Sequence, residues 1–298
     1  MPERRTEDQG KAVHMTQRNR RIRDARLIGA AGVLAVVIGG LGTPHETSAQ
    51  WVDYPTANVP RNADGTPNLA APAPRAADGK PDLSGIWWSA ELLPECSEKD
   101  CIPQMNLPAD QINIGRTLKA GLPYQPWAAQ LVAERTANGA KDDPHAFCLP
   151  PNFPRAYSLP QYLKIAQLPK LTIMLHEFNA SYRQIFTDGR PLPKDPLPAW
   201  SGYSTAHWEG DTFVVESSGF RDDLWLDLSG SPMTSAAHVR ERIKRPNFGS
   251  LEIEVTVDDP KAYTRAWTVT LHQNIVLDTE LIEETCLENE RDTGLFKK

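Results

Sequence analysis

Residues 250–257 read Ser-Leu-Glu-Ile-Glu-Val-Thr-Val, the plainest strand in the chain. Leu251, Ile253, Val255 and Val257 fall on one side of an extended backbone, and Glu252, Glu254 and Thr256 on the other. Successive side chains of a strand point to opposite faces, so this stretch reads as half buried. Asn247-Phe248-Gly249 precedes it and Asp258-Asp259-Pro260 follows it, both turn chemistry.

The pattern extends outward in both directions. Strand-like runs fall at 84–89, 162–168, 171–178, 181–187, 203–208, 212–217, 237–245, 264–272 and 279–286. Asp188-Gly189 and Glu209-Gly210 separate some of them, as turns with a positive φ require. Short spacings and no intervening helices imply antiparallel neighbours. A mainly β chain of nine or ten such strands should curl into an antiparallel β-barrel or a two-sheet sandwich. One helix is expected at 125–138, with Pro126 in its first turn and Gly139 as its stop. No internal repeat is apparent.

The beginning of the chain has a different character. An Arg-rich stretch to Arg26 is followed by the apolar run Leu27 to Leu41 and by Thr47-Ser48-Ala49. A charged region, an apolar core and a small-residue end make residues 1–49 a signal peptide, so the rest is expected in the periplasm or secreted. A Pro-rich extended arm occupies 50–83, and a single β-rich domain 84–298. The residues after Ala49 number 249, with 24 Lys/Arg and 33 Asp/Glu, a net charge of −9. That balance gives no attraction for nucleic acid or anionic lipid. No membrane span is expected once the signal is cleaved.

Cys96, Cys101, Cys148 and Cys286 all follow the signal segment, and an even count in an oxidising compartment points to disulfides. Three connectivities are open. The short Cys96–Cys101 loop favours local closure, which leaves Cys148 for Cys286. No second pair of ligands follows at zinc-finger spacing, and no HExxH occurs, so no metal is expected. The absence of a phosphate loop, a dinucleotide fingerprint and a nucleophile elbow argues against a nucleotide cofactor or a serine hydrolase. No cofactor is expected.

Alternation selects the residues for a site. Glu241 lies between Val239 and Ile243, on their face. Arg265 shares a face with Tyr263, Trp267 and Val269, and Glu177 ends the face of Leu171, Ile173 and Leu175. A charge among apolar neighbours has to pair or to line a pocket, and a Glu241–Arg265 contact is the pairing expected. His238 is the general-base candidate, with Asp227 and Arg242 to tune it, and Arg183 is a second group able to polarise an oxygen. Trp208, Trp225, Trp267 and Tyr263 are candidates to line an apolar cavity. Two readings follow: a barrel that holds a small apolar molecule in its interior, or a cofactor-independent lyase, hydratase or isomerase using a carboxylate or His there.

Several short motifs occur together: DGRPLP at 188–193, WSGYS at 200–204, WEGDT at 208–212, HVRER at 238–242 and DPKAY at 259–263. In combination they resemble a family of exported bacterial proteins of unassigned function. The likeness implies secretion and an all-β body but no chemistry. Gly85-Ile86-Trp87 is also similar to the Gly-x-Trp that opens lipocalin barrels.

Overall fold

The computed structural model describes residues 54–90 and 109–289, all within one compact unit. The expected signal segment 1–49 and the candidate disulfide residues Cys96 and Cys101 lie outside them. Nine strands form a closed barrel in the order β1-β11-β10-β9-β6-β5-β4-β3-β2. They are β1 (Gly85–Ser89), β2 (Leu163–Leu168), β3 (Leu171–His176), β4 (Ser181–Phe186), β5 (Tyr203–Glu209), β6 (Thr212–Ser218), β9 (His238–Asn247), β10 (Ser250–Asp258) and β11 (Trp267–Val276). β7 (Leu224–Trp225) and β8 (Pro232–Met233) form a separate small hairpin between β6 and β9. The expected helix is α2, Pro126–Ala137; α1 (Ala109–Ile112) and α3 (Cys286–Asn289) are single turns. Among the described residues no helix is long and apolar enough to cross a membrane.

β10 behaves as its sequence requires. Leu251, Ile253, Val255 and Val257 are buried in the barrel core, while Glu252 and Glu254 face Lys244 and Arg242 of β9 on the outside. Val239, Glu241 and Ile243 of β9 point inward with them, as alternation demanded. β3 runs the other way. Thr172, Met174 and His176 are buried, and Leu171, Ile173 and Leu175 are only half buried. Both faces of this strand carry large side chains, so apolar count alone selects the wrong one. The register, with Met174 opposite Ile165 and Arg183, sets the inner face.

Three other expectations need correction. β4 and β5 are parallel neighbours, paired only at Ile185↔Ser204 and Phe186↔Thr205. The Pro-rich connection 187–202 is long enough to carry the chain back to the same end of the barrel. β11 begins at Trp267, so Arg265 lies in the preceding turn and is exposed. Residues 279–286 form no strand; only Glu284 makes an isolated bridge, to Phe178.

The expectation of no internal repeat also needs correction, because the arm contains one. Residues 60–69, PRNADGTPNL, and 74–83, PRAADGKPDL, fold into the same loop. In each, Arg61 or Arg75 bridges Pro67 or Pro81 and donates to the carbonyl of Gly65 or Gly79. The first loop lies on the barrel, where Phe248 and Gly249 donate to the carbonyls of Ala71 and Leu69. The second delivers Leu83 to the core just before β1. Trp87 is fully buried there, with the Arg245 guanidinium 4.8 Å from its ring centroid.

Cys148 and Cys286 form a disulfide. It ties the end of the described chain to the base of an inserted segment, 150–159. That segment enters the barrel with Phe153 and Tyr157, which are 3% and 1% exposed. Gln273 of β11 donates to the Tyr157 carbonyl and holds it there.

Candidate functional site

The parallel seam between β4 and β5 is short, and below it the two chains diverge. A slot of about 510 Å³ opens between Ser181–Gln184 on one side and residues 199–203 on the other, with Pro150 and Pro151 of the inserted segment as a further wall. Four aromatic side chains line it: Tyr182, Phe186, Trp200 and Tyr203. Phe186 stacks on Tyr203 at 5.2 Å, and Arg190 sits 4.0 Å from the Phe186 ring centroid while donating to the Tyr203 hydroxyl at 3.2 Å. Asp188 fixes Arg190 from the other side. Arg221 covers Trp200 at 4.8 Å. Aromatic faces attract such cations. Gly202 makes the close approach of this segment to β6 possible. Its φ is +62°, and a Cβ there would lie 2.7 Å from the Ser218 carbonyl oxygen.

Behind the slot lies a buried polar cluster. Arg183 of β4, one of the slot's lining residues, points into the barrel and meets Glu241 of β9 in a two-pronged ion pair. Its Nε donates to the Ser204 Oγ of β5 at 3.0 Å, and Nη2 to the Ser217 Oγ of β6 at 2.8 Å. Nη1 reaches the Tyr157 hydroxyl at 3.3 Å, and that hydroxyl donates to Glu241 Oε1 at 2.6 Å. The Phe153 ring lies 4.8 Å from the guanidinium carbon. All five N–H groups of Arg183 are thereby used.

The electrostatics follow from this enclosure. Burial opposes the charge of Arg183, but the adjacent Glu241 and Tyr157 together outweigh it and raise the pKa. Burial, reinforced by Glu241, pushes the Tyr157 hydroxyl well above its ordinary range. The cluster therefore holds one positive charge, one negative charge and a firmly protonated phenol. A buried pair so satisfied holds its conformation, and removal of either member strands the other.

The sequence candidates separate in space. Glu241 and Arg183 come together; the expected Glu241–Arg265 pair does not form, because Arg265 sits exposed outside its strand. Glu177 accepts from the Tyr162 backbone N–H at 2.8 Å, and burial raises its pKa against that bond. His238 is exposed at the start of β9, opposite Asp258. Asp227 is buried elsewhere, accepting from the N–H groups of Ile114 and Ser231. Trp267 and Tyr263 pack on each other in the core, Trp208 packs against Phe213, and Trp225 lies under Arg135. None of these four lines the slot. Among the described residues no group of three or more His, Cys, Asp or Glu is placed to hold a metal ion.

Tyr157, Ser204 and Ser217 escaped sequence reading. The two serines had a signal, being small polar residues on the inner faces of β5 and β6. Tyr157 had none, since it lies in a Pro-rich connection without periodicity. No family model, curated protein or solved structure matches the chain.

Proposed function

We propose that this chain is an exported β-barrel protein that binds a small, largely apolar molecule in the slot between β4 and β5. One observation carries the reading: the wall opens into an aromatic-lined recess of about 510 Å³, within the size range of small-molecule sites. The inserted segment and the buried cluster occupy the barrel centre, which moves the expected interior site to its side. The Cys148–Cys286 disulfide supports an oxidising compartment. The resemblance to exported bacterial proteins is part of the same proposal. Its DGRPLP and WSGYS motifs supply Asp188, Arg190, Trp200, Gly202 and Tyr203 to the slot and its rim.

Native mass spectrometry of protein recovered from the periplasm tests this reading. A co-purified small molecule is expected in the wild type and is expected to be lost in Trp200→Ala. Equal occupancy in both proteins rejects the slot as the site.

A cofactor-independent lyase, hydratase or isomerase remains the second reading, because Arg183 both lines the slot and holds Glu241 and Tyr157. Full use of its five N–H groups within the cluster weighs against it. Conversion of the co-purified molecule by wild type but not by Glu241→Gln would favour the enzyme.

A further inference from the structure

The slot exposes main-chain groups as well as aromatic rings. Thr187 N donates to Lys170 O at 3.0 Å, in the same register as the β3–β4 pairs Ile185↔Thr172, Arg183↔Met174 and Ser181↔His176. In an antiparallel ladder, directly hydrogen-bonded pairs alternate with unbonded ones. Ser181, Arg183 and Ile185 therefore turn their N–H and C=O groups to β3. Tyr182, Gln184 and Phe186 turn theirs the opposite way, toward β5.

β5 meets only part of that edge. Its pairing begins at Ile185↔Ser204, which engages the Gln184 carbonyl and the Phe186 N–H in the manner of a parallel ladder. The N–H and C=O of Tyr182 and the N–H of Gln184 lie below this point. They face the slot, and no described strand pairs with them there. Tyr182 offers a donor and an acceptor side by side, the arrangement that one residue of a neighbouring strand would satisfy.

We infer that the slot recognises an extended acylated amino-acid residue, whose N–H and C=O flank one Cα on the same side and are held by the Tyr182 C=O and N–H while the aromatic walls take its apolar side groups. This rests on the slot being the ligand site, and it adds the chemical class of the ligand. Two sources carry that chemistry: a short extended peptide, and a small N-acylated amino-acid amide. The Ser181–Gln184 edge spans about 13 Å at strand rise, room for about three residues of an added strand.

Nitrogen-15 labelled protein is titrated with the capped peptide acetyl-Val-Phe-Val-methylamide, with the same peptide N-methylated at its internal amides, and with the single-residue amide N-hexanoyl-phenylalanine methylamide. The amide signals of Tyr182 and Gln184 are expected to shift, and N-methylation to weaken binding by about tenfold or more. Peptide binding about tenfold tighter than the single-residue amide identifies a strand-like ligand; equal binding identifies a single acylated residue. Both outcomes support recognition of the amide. Tyr182→Ala removes the ring but keeps the N–H, whereas Tyr182→Pro removes both at a position where the N–H makes no ladder bond, so the fold should tolerate it. A further loss of about tenfold in Tyr182→Pro relative to Tyr182→Ala is expected. Equal affinity of the two variants, undiminished binding of the N-methylated peptide, or unmoved Tyr182 and Gln184 signals overturns the inference.

Binding of the apolar dye N-phenyl-1-naphthylamine separates this from the slot reading. If Trp200→Ala still weakens dye binding, the slot survives and only the amide is wrong. If the dye is indifferent to Trp200→Ala, the slot reading has failed too.

Discussion

The β9–β10–β11 wall and the β4–β5 seam belong to the same barrel and are held by different forces. β10 pairs with β9 from Asp258 to Ser250, with one register shift, and with β11 along its length. Main-chain hydrogen bonds and the buried Leu251, Ile253, Val255 and Val257 suffice there. At the seam only two residue pairs join the strands. Side chains take over: Arg183 reaches from β4 to Ser204 on β5, Ser217 on β6 and Glu241 on β9. Where main-chain pairing is short, a buried polar cluster closes the barrel behind the gap, and the gap itself is left as a recess.

The largest expected effect comes from breaking that staple. Arg183→Met leaves Glu241 buried and unpaired and should cost about 3–5 kcal/mol in urea unfolding. It should also speed amide exchange in β4 and β5 more than in β10. The double variant Arg183→Met/Glu241→Leu should recover most of the loss. A single-variant cost below about 1 kcal/mol would show that the seam does not depend on the cluster.

Acid should act next, on the seam side of the molecule. His176 is buried and His145 half buried near the disulfide, with His145 stacked on Phe178 at 3.8 Å. Burial depresses His145 to about 4 and His176 to about 3. For His145 the Arg155 charge adds to this and Asp143 opposes it; for His176 the neighbouring His145 adds to it. Both folded-state values lie below the unfolded value of about 6.5, so the unfolded chain binds more protons once the pH falls below about 6.5. Stability from these groups is therefore flat above that pH and declines steadily toward pH 3–4, by about 3 kcal/mol for His145 alone. Burial raises the pKa of Glu177, which offsets part of the decline in the carboxylate range. His145→Asn/His176→Asn should flatten the acid limb of the stability profile. An unchanged limb would exclude the histidines as its cause.

Two glycines with similar backbones sharpen the contrast further. Gly202 at the seam and Gly210 in the β5–β6 hairpin have φ near +60°, but a Cβ at Gly210 meets nothing within 4 Å. Gly202→Ala should cost about 1–3 kcal/mol from strain plus the clash with Ser218, and Gly210→Ala only about 1 kcal/mol from strain. Equal losses in melting temperature would show that the close approach does not matter.

The smallest effect is expected on the outer face of the long wall. Arg242 lies 2.7 Å from Glu209 and 3.9 Å from Glu254, all partly solvated. Arg242→Ala should change stability by less than about 1 kcal/mol, and less still at high salt. A larger loss would make the wall depend on its charges, contrary to the comparison.

Strand positions were legible because their signals are local. Alternation marked β9 and β10, and Glu209-Gly210 and Asp188-Gly189 marked turns. The inward position of Glu241 followed from Val239 and Ile243. Its partner did not: alternation made Arg265 the expected partner, but β11 begins at Trp267 and leaves Arg265 outside the strand, so Arg183 pairs with Glu241 instead. The arm's repeated PRxADGxP loop escaped sequence reading, because it carries no hydrophobic period. The slot had no sequence signal of its own, because it is made by the divergence of two strands.

The sequence by itself determined a mainly β body, the turns, the helix at Pro126–Ala137, the inner faces of β9 and β10, and a chain with cysteines to pair. These depend on φ/ψ preference and on side-chain period, which each segment carries within itself. Tertiary structure alone decided that β4 runs parallel to β5, that β3 turns Met174 and His176 inward, and that Arg183 meets Glu241 across 58 residues. Those outcomes depend on how the barrel closes, which fixes register and direction for every strand together and which no segment can specify alone.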